Sequence, residues 1–63
     1  MELIKEIDKQ IKKYSIELDN LKENKVREIN LISDAEISDY DNQIHLTARI
    51  IKGLKEIKKI ALS

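Results

Sequence analysis

Cysteine, proline, phenylalanine and tryptophan are absent from this 63-residue chain, and glycine occurs only once. Without cysteine no disulfide can form, and a single histidine cannot supply the Cys/His cluster of a structural zinc site. The chain also lacks turn dipeptides and runs of alternating apolar residues, which argues against strands. The apolar residues present are mostly isoleucine and leucine, twelve and seven respectively. This composition predicts an all-α protein.

An excess of charge of one sign is lacking as well. Twelve basic and twelve acidic residues cancel to a net charge of zero, which speaks against a general attraction to nucleic acid or anionic lipid. No apolar run approaches the length of a membrane span, and Lys5, Glu6 and Asp8 interrupt the region where a signal peptide would be apolar. We therefore expect a cytoplasmic protein.

The stretch from 31 to 41 separates two periodic halves of the chain. Ser33 followed by Glu36 has the spacing of a helix-capping box, and Ser38 with Asp41 offers a second start. The acidic residues clustered in this stretch suit the positive end of a helix dipole. We expect one hairpin domain over residues 1–63, with helix 1 at about 2–31, a turn at about 31–39, and helix 2 from about 34 or 39 to 61.

The first half carries a seam of apolar and aromatic residues at alternating spacings of three and four, as in the a and d positions of a coiled coil. Its members are Ile4, Ile7, Ile11, Tyr14, Leu18 and Leu21. Positions 25 and 28 would continue the seam but are Lys and Glu, so we expect the pattern to slip by one residue to Val26, Ile29 and Ile32. Asn24 lies beside this slip, and a break there would give the alternative fold, a small three-helix bundle.

The second half carries a comparable stripe, made of Ile37, Tyr40, Ile44, Thr47 or Ala48, Ile51, Leu54, Ile57 and Ala61. The two stripes predict an antiparallel, coiled-coil-like hairpin. Further apolar residues widen its face beyond what a two-stranded seam needs: Leu3, Leu46, Ile50, Ile60 and Leu62. Gly53 interrupts helix 2, which suggests close approach of another backbone, a local bend or simple tolerance.

The width of the apolar face predicts self-association of two hairpins into a four-helix bundle, because a lone pair of helices buries little surface. The residues expected in the self-association core are Ile4, Ile7, Ile11, Tyr14, Leu18, Leu21, Ile44, Ile51, Leu54 and Ile57. The expected partners are a second copy of the chain and another protein.

Motifs for catalysis are missing. There is no glycine-rich phosphate loop, nucleophile elbow or Cys/His pair, and His45 with Asp41 supplies only two of the ligands that a metal site needs. We therefore expect no enzymatic activity, no cofactor and no metal.

A basic run on helix 2 is the candidate partner-binding surface, formed by Arg49, Lys52, Lys55 and Lys59. The basic run can be simply the solvated end of the helix, and such a stripe could also contact phosphate, an anionic membrane or an acidic protein. No aromatic residue is interleaved to stack on bases, and Glu56 dilutes the charge, so an acidic protein is favoured over nucleic acid. The predicted function is that of a small non-enzymatic accessory or regulatory protein, acting through protein–protein contacts of its helix faces.

Two resemblances define the alternative functions. The length and hairpin plan are similar to those of the Rop family of plasmid RNA-binding proteins, which implies a nucleic-acid-binding hairpin dimer. The segment Ser15-Ile16-Glu17-Leu18-Asp19 resembles the Ser-x-Glu-Leu-Asp signature of Spo0E-like phosphatases, helical hairpins that dephosphorylate a response regulator. That resemblance implies a phosphatase role for Asp19, although in the family the signature lies on the second helix rather than the first.

Overall fold

The computed structural model describes residues 2–63, which form two α-helices joined by a short turn. Helix α1 spans Glu2–Glu28 and helix α2 spans Asp34–Leu62. The two helices pack side by side in an elongated body of 46 × 14 × 11 Å, and residues 2–63 contain no strand. The predicted all-α hairpin is therefore confirmed. Helix α1 is continuous through Asn24, so the three-helix alternative is wrong, and it ends three residues earlier than expected.

A few hydrogen bonds in the turn mark the end of α1 and the beginning of α2. The backbone N–H of Leu31 donates to the carbonyl of Glu28 at 2.7 Å and closes the last turn of α1. Ser33 then takes extended backbone angles, and its hydroxyl oxygen accepts from the N–H of Glu36 at 3.3 Å. The Ser33 hydroxyl also donates to the Glu36 carboxylate at 3.3 Å. Ser33 is thus the N-cap of α2, and the earlier of the two predicted starts is correct.

Replacing Ser33 with alanine is expected to lower the free energy of unfolding by about 1 kcal/mol, because the first turn of α2 loses an acceptor for an otherwise unpaired N–H. Ser38→Ala is the matched control, since Ser38 lies one turn inside α2 and caps nothing. Denaturant titration of both variants measures the difference. A larger loss for Ser38→Ala than for Ser33→Ala would mean that α2 begins after residue 38.

The core between the helices is thin. Within residues 2–63, only Ile7, Ile51 and Thr47 are buried, each at 8% exposure or less, and the other seam residues are half-buried. The Thr47 hydroxyl donates to the carbonyl of Gln43 at 2.8 Å, so its burial leaves no polar atom without a partner. Thr47, rather than Ala48, is the seam residue at this point of α2.

The seam keeps strict alternating spacings of three and four along both helices. In α1 it continues through Lys25 and Glu28, whereas Val26 is 73% exposed, so the predicted slip is wrong. In α2 the half-buried seam position near the C-terminal end is Lys58, whereas Ile57 is 52% exposed. Both differences have the same cause. Polar residues occupy these seam positions, and each can pair there with a residue of the other helix.

Candidate functional site

Three polar pairs join the two helices at the ends of the seam. Near the turn, the Lys25 ammonium donates to the Asp41 carboxylate, and the Tyr40 hydroxyl donates to the Glu28 carboxylate at 2.6 Å. At the opposite end, the Lys58 ammonium lies 2.6 Å from the Asp8 carboxylate. Partly exposed ion pairs of this kind contribute at most about 1 kcal/mol each. Their main effect is to fix the register of α1 against α2.

The hydrogen bond to Glu28 changes the acidity of Tyr40. The pKa of Tyr40 is raised above its ordinary value, first because its hydroxyl donates to the Glu28 carboxylate, then by desolvation and by the negative charges of Glu28 and Glu36. All of these disfavour the tyrosinate. The contribution of this bond to stability is therefore present below the pKa of the unfolded chain, about 10, and is lost as the pH rises through the folded-state pKa.

A Tyr14→Phe variant leaves Tyr40 as the only tyrosine, so that the ultraviolet absorbance of tyrosinate reports on Tyr40 alone. We expect the titration midpoint to lie above that of a model tyrosine peptide. Adding Glu28→Gln should bring the midpoint down, since a neutral amide replaces the carboxylate that holds the proton. Equal midpoints with and without Glu28→Gln would contradict the hydrogen bond.

The predicted basic residues do lie together on the exposed side of α2. We call Arg49, Lys52, Lys55 and Lys59 the basic stripe; all four side chains are exposed. The three lysines border a shallow groove of about 380 Å³, which Ala48, Ile51 and Glu56 complete. Within residues 2–63, Lys58 is held by Asp8, whereas no member of the basic stripe takes part in an ion pair. These four positive charges are therefore available to a partner.

The other predicted polar residues are not brought together into a reactive site. In the part of the chain that the structure describes, no three His, Cys, Asp or Glu side chains are grouped as metal ligands. His45 is exposed, and the carboxylate of Asp41 is engaged by Lys25. Asp19 is exposed near the middle of α1, and Leu18, from the same Ser-x-Glu-Leu-Asp segment, faces the seam.

A groove between the helices is lined mostly by polar side chains. It measures about 380 Å³ and lies on the other flank of α2 from the basic stripe. Its lining residues are Glu17, Asn20, Leu21, Asn24, Gln43, Leu46 and Thr47. The amides can form hydrogen bonds at this end of the flank, and Glu17 adds a carboxylate.

Beyond that groove, the same flank of α2 becomes apolar. Leu46, Ile50, Gly53, Ile57 and Ile60 follow one another at spacings of four and three, so they share one helix face. We call this set the outer stripe. Its four branched side chains are 42–74% exposed. In the sequence, Leu46, Ile50 and Ile60 are predicted as apolar surface beyond the seam and Ile57 as a seam residue, so this second periodic face was not predicted.

Neither described helix is long and apolar enough to cross a membrane. Comparison of the chain with protein-family models, curated proteins and solved structures gives no match.

Proposed function

We propose that this chain is a small non-enzymatic accessory or regulatory protein that binds another protein through the basic stripe of α2. The observation that carries the proposal is a row of four exposed cations beside a shallow groove, with no ion pair to any of them within residues 2–63. Lysine and arginine side chains held along a rigid helix attract an acidic surface and orient it. The complementary partner is a protein with an acidic helix or groove.

Two features favour an acidic protein over nucleic acid. Glu56 lies within the groove that the stripe borders and would repel closely spaced phosphates. The two tyrosines are the only aromatic residues, and both are half-buried rather than presented as a stacking surface. The alternative is a Rop-like nucleic-acid-binding protein, in which the same positive charges would bind the nucleic acid.

The second part of the proposal is a homodimer, with two hairpins forming a four-helix bundle. Among residues 2–63 of a single hairpin, ten large apolar residues remain exposed, against two that are buried. A soluble protein seldom leaves a contiguous apolar patch of more than a few hundred Å² uncovered, because such a patch associates with other surfaces. Self-association would cover part of this surface and leave Lys52, Lys55 and Lys59 of the basic stripe free.

The test compares two triple variants that remove the same charge from different helices. Lys52→Gln, Lys55→Gln and Lys59→Gln remove three cations of the basic stripe, whereas Lys5→Gln, Lys9→Gln and Lys12→Gln remove three exposed cations from α1. In affinity capture from the native cell, we expect the wild type and the α1 variant to enrich the same acidic proteins. The basic-stripe variant should lose them.

A duplex RNA titrated with the same three proteins separates the alternatives. Binding of the RNA that falls steeply with salt and disappears in the basic-stripe variant, without loss of any captured protein, would overturn the proposal in favour of the Rop-like function. Equal capture by both variants would also overturn it. For the Spo0E-like alternative, the readout is dephosphorylation of a phosphorylated response regulator, with Asp19→Asn as the control.

A further inference from the structure

The outer stripe is a second seam that no helix of the same chain covers. Its spacings of four, three, four and three match those of the hairpin seam, but it lies one flank further round α2. The branched side chains at 46, 50, 57 and 60 are all exposed, from 42% at Ile50 to 74% at Ile60. A periodic apolar face of this kind is what a further helix packs against.

Gly53 stands at the centre of the outer stripe, and the hairpin itself gives no reason for a glycine there. The residue is helical, its φ is not positive, and a Cβ added to it would meet no atom within 4 Å. Nothing in the described part of the chain therefore excludes a side chain at this position. A glycine on a helix surface does, however, allow a second backbone to come close.

The order of residues in the outer stripe is nearly the same in both directions from Gly53. Leu46 lies seven residues before it and Ile60 seven after, while Ile50 and Ile57 lie three before and four after. Two copies of α2 that run antiparallel about a twofold axis near Gly53 therefore set aliphatic side chains against aliphatic side chains on both sides. This self-complementarity is the property that a twofold interface requires.

The charges that border the outer stripe fit the same arrangement. Arg49 and Glu56 lie on one edge of it, seven residues apart and on opposite sides of Gly53. In the antiparallel pair, Arg49 of each copy comes beside Glu56 of the other, which forms two symmetric ion pairs. In a parallel pair, the Arg49–Glu56 edges of the two copies would lie on opposite sides of the interface, and neither ion pair would form.

We propose that the outer stripe of α2 is the surface on which two copies of this chain pair, antiparallel and with the twofold axis near Gly53. The inference rests on the homodimer proposed above and assigns its interface. Lys52, Lys55 and Lys59 of the basic stripe lie away from the outer stripe and stay exposed in the pair, whereas Arg49 joins the interface, so each dimer presents two copies of the lysine row.

The first experiment uses two isoleucines of equal exposure. Ile57 in the outer stripe and Ile16 on the outer side of α1 are both 52% exposed, so Ile57→Glu and Ile16→Glu make the same change outside the hairpin seam. By sedimentation equilibrium we expect Ile16→Glu to remain a dimer like the wild type. Ile57→Glu should be a monomer of unchanged helicity at the same concentration. A wild-type monomer at hundreds of micromolar would overturn both the homodimer and this interface, whereas a dimeric Ile57→Glu would overturn the interface alone.

The second experiment tests the direction of pairing, using the absence of native cysteine. In the antiparallel pair, the two Leu46 positions lie about 21 Å apart along the helix axis, too far for a disulfide. Leu46→Cys alone should therefore not cross-link under oxidation, whereas a mixture of Leu46→Cys and Ile60→Cys chains should give the mixed dimer. Efficient self-cross-linking of Leu46→Cys would overturn the antiparallel arrangement.

A charge exchange completes the test. Arg49→Glu should weaken dimerisation several-fold by setting two carboxylates together, and the double change Arg49→Glu with Glu56→Arg should restore it. Arg49 and Glu56 are two helical turns apart within one chain, so rescue reports the contact between chains. Failure of the double change to recover any affinity would overturn this pairing of charges.

Discussion

An Ile51→Asp variant is expected to be largely unfolded at room temperature. Ile51 is 8% exposed and is one of only two buried apolar residues in the described chain. A carboxylate at this position would be buried without a partner or would have to pull α2 away from α1, and either costs several kcal/mol. Small domains have only about 5–15 kcal/mol of net stability, and a two-helix hairpin is expected near the lower end. A single central substitution is therefore enough to unfold it.

Circular dichroism at 222 nm and urea titration measure this effect. The matched control is Ile16→Asp, which makes the same change on the exposed side of α1 and should lower stability by about 1 kcal/mol or less through helix propensity alone. Lys52→Ala, next to Ile51 but exposed, should leave stability nearly unchanged. An Ile51→Asp variant with wild-type helicity and urea midpoint would show that α2 does not pack against α1 through this face.

The parts of the fold that the sequence predicts are those that depend on local chemistry. Helix composition, the Ser33 cap and the apolar periodicity from Ile4 to Leu21 each follow from neighbours within one or two turns. They give two helices, the start of α2 and the face of α1 that packs. The chain forms a hairpin rather than three helices because α1 tolerates Asn24, a weak helix former, in its interior.

The parts that the sequence did not predict depend on the partner helix. An apolar pattern treats Lys25, Glu28 and Lys58 as breaks in the seam, since none of them is hydrophobic. Their places in it become clear only when the register brings Asp41, Tyr40 and Asp8 opposite them. The slip to Val26 and the assignment of Ile57 to the seam both came from following hydrophobicity where cross-helix pairing decides the packing.

The same difference, between features set within one helix and features that depend on packing, applies to the basic stripe and the outer stripe. The basic stripe is a property of one helix, and its four residues lie exposed on α2, while their role in binding stays a prediction. The spacings of the outer stripe are visible in the sequence as well. Most of its residues were instead assigned to a single wide apolar face of the hairpin. Only the exposure of Ile57, and the open space around Gly53, separate this second face from the hairpin seam.

The thermal midpoint of the wild-type protein is expected to rise with protein concentration, because a dimer that unfolds to two chains follows mass action. Each tenfold change in concentration alters the free energy of association by about 1.4 kcal/mol. With an unfolding entropy of about 2.1 cal/mol/K per residue over both chains, this corresponds to a shift of about 5 °C per tenfold change. Calorimetry or circular dichroism over a hundredfold range should therefore show a shift of about 10 °C.

The Ile57→Glu variant is the control for this shift. If it is a folded monomer, it should unfold at a lower temperature that does not depend on concentration, while Ile16→Glu should keep the wild-type dependence. The lower midpoint follows because the hairpin then has only the thin core around Ile7, Thr47 and Ile51 to hold it. A wild-type midpoint that is the same at 5 and 500 micromolar, together with a monomeric mass at tens of micromolar, would contradict the dimer. The outer stripe would then be a surface for a different protein.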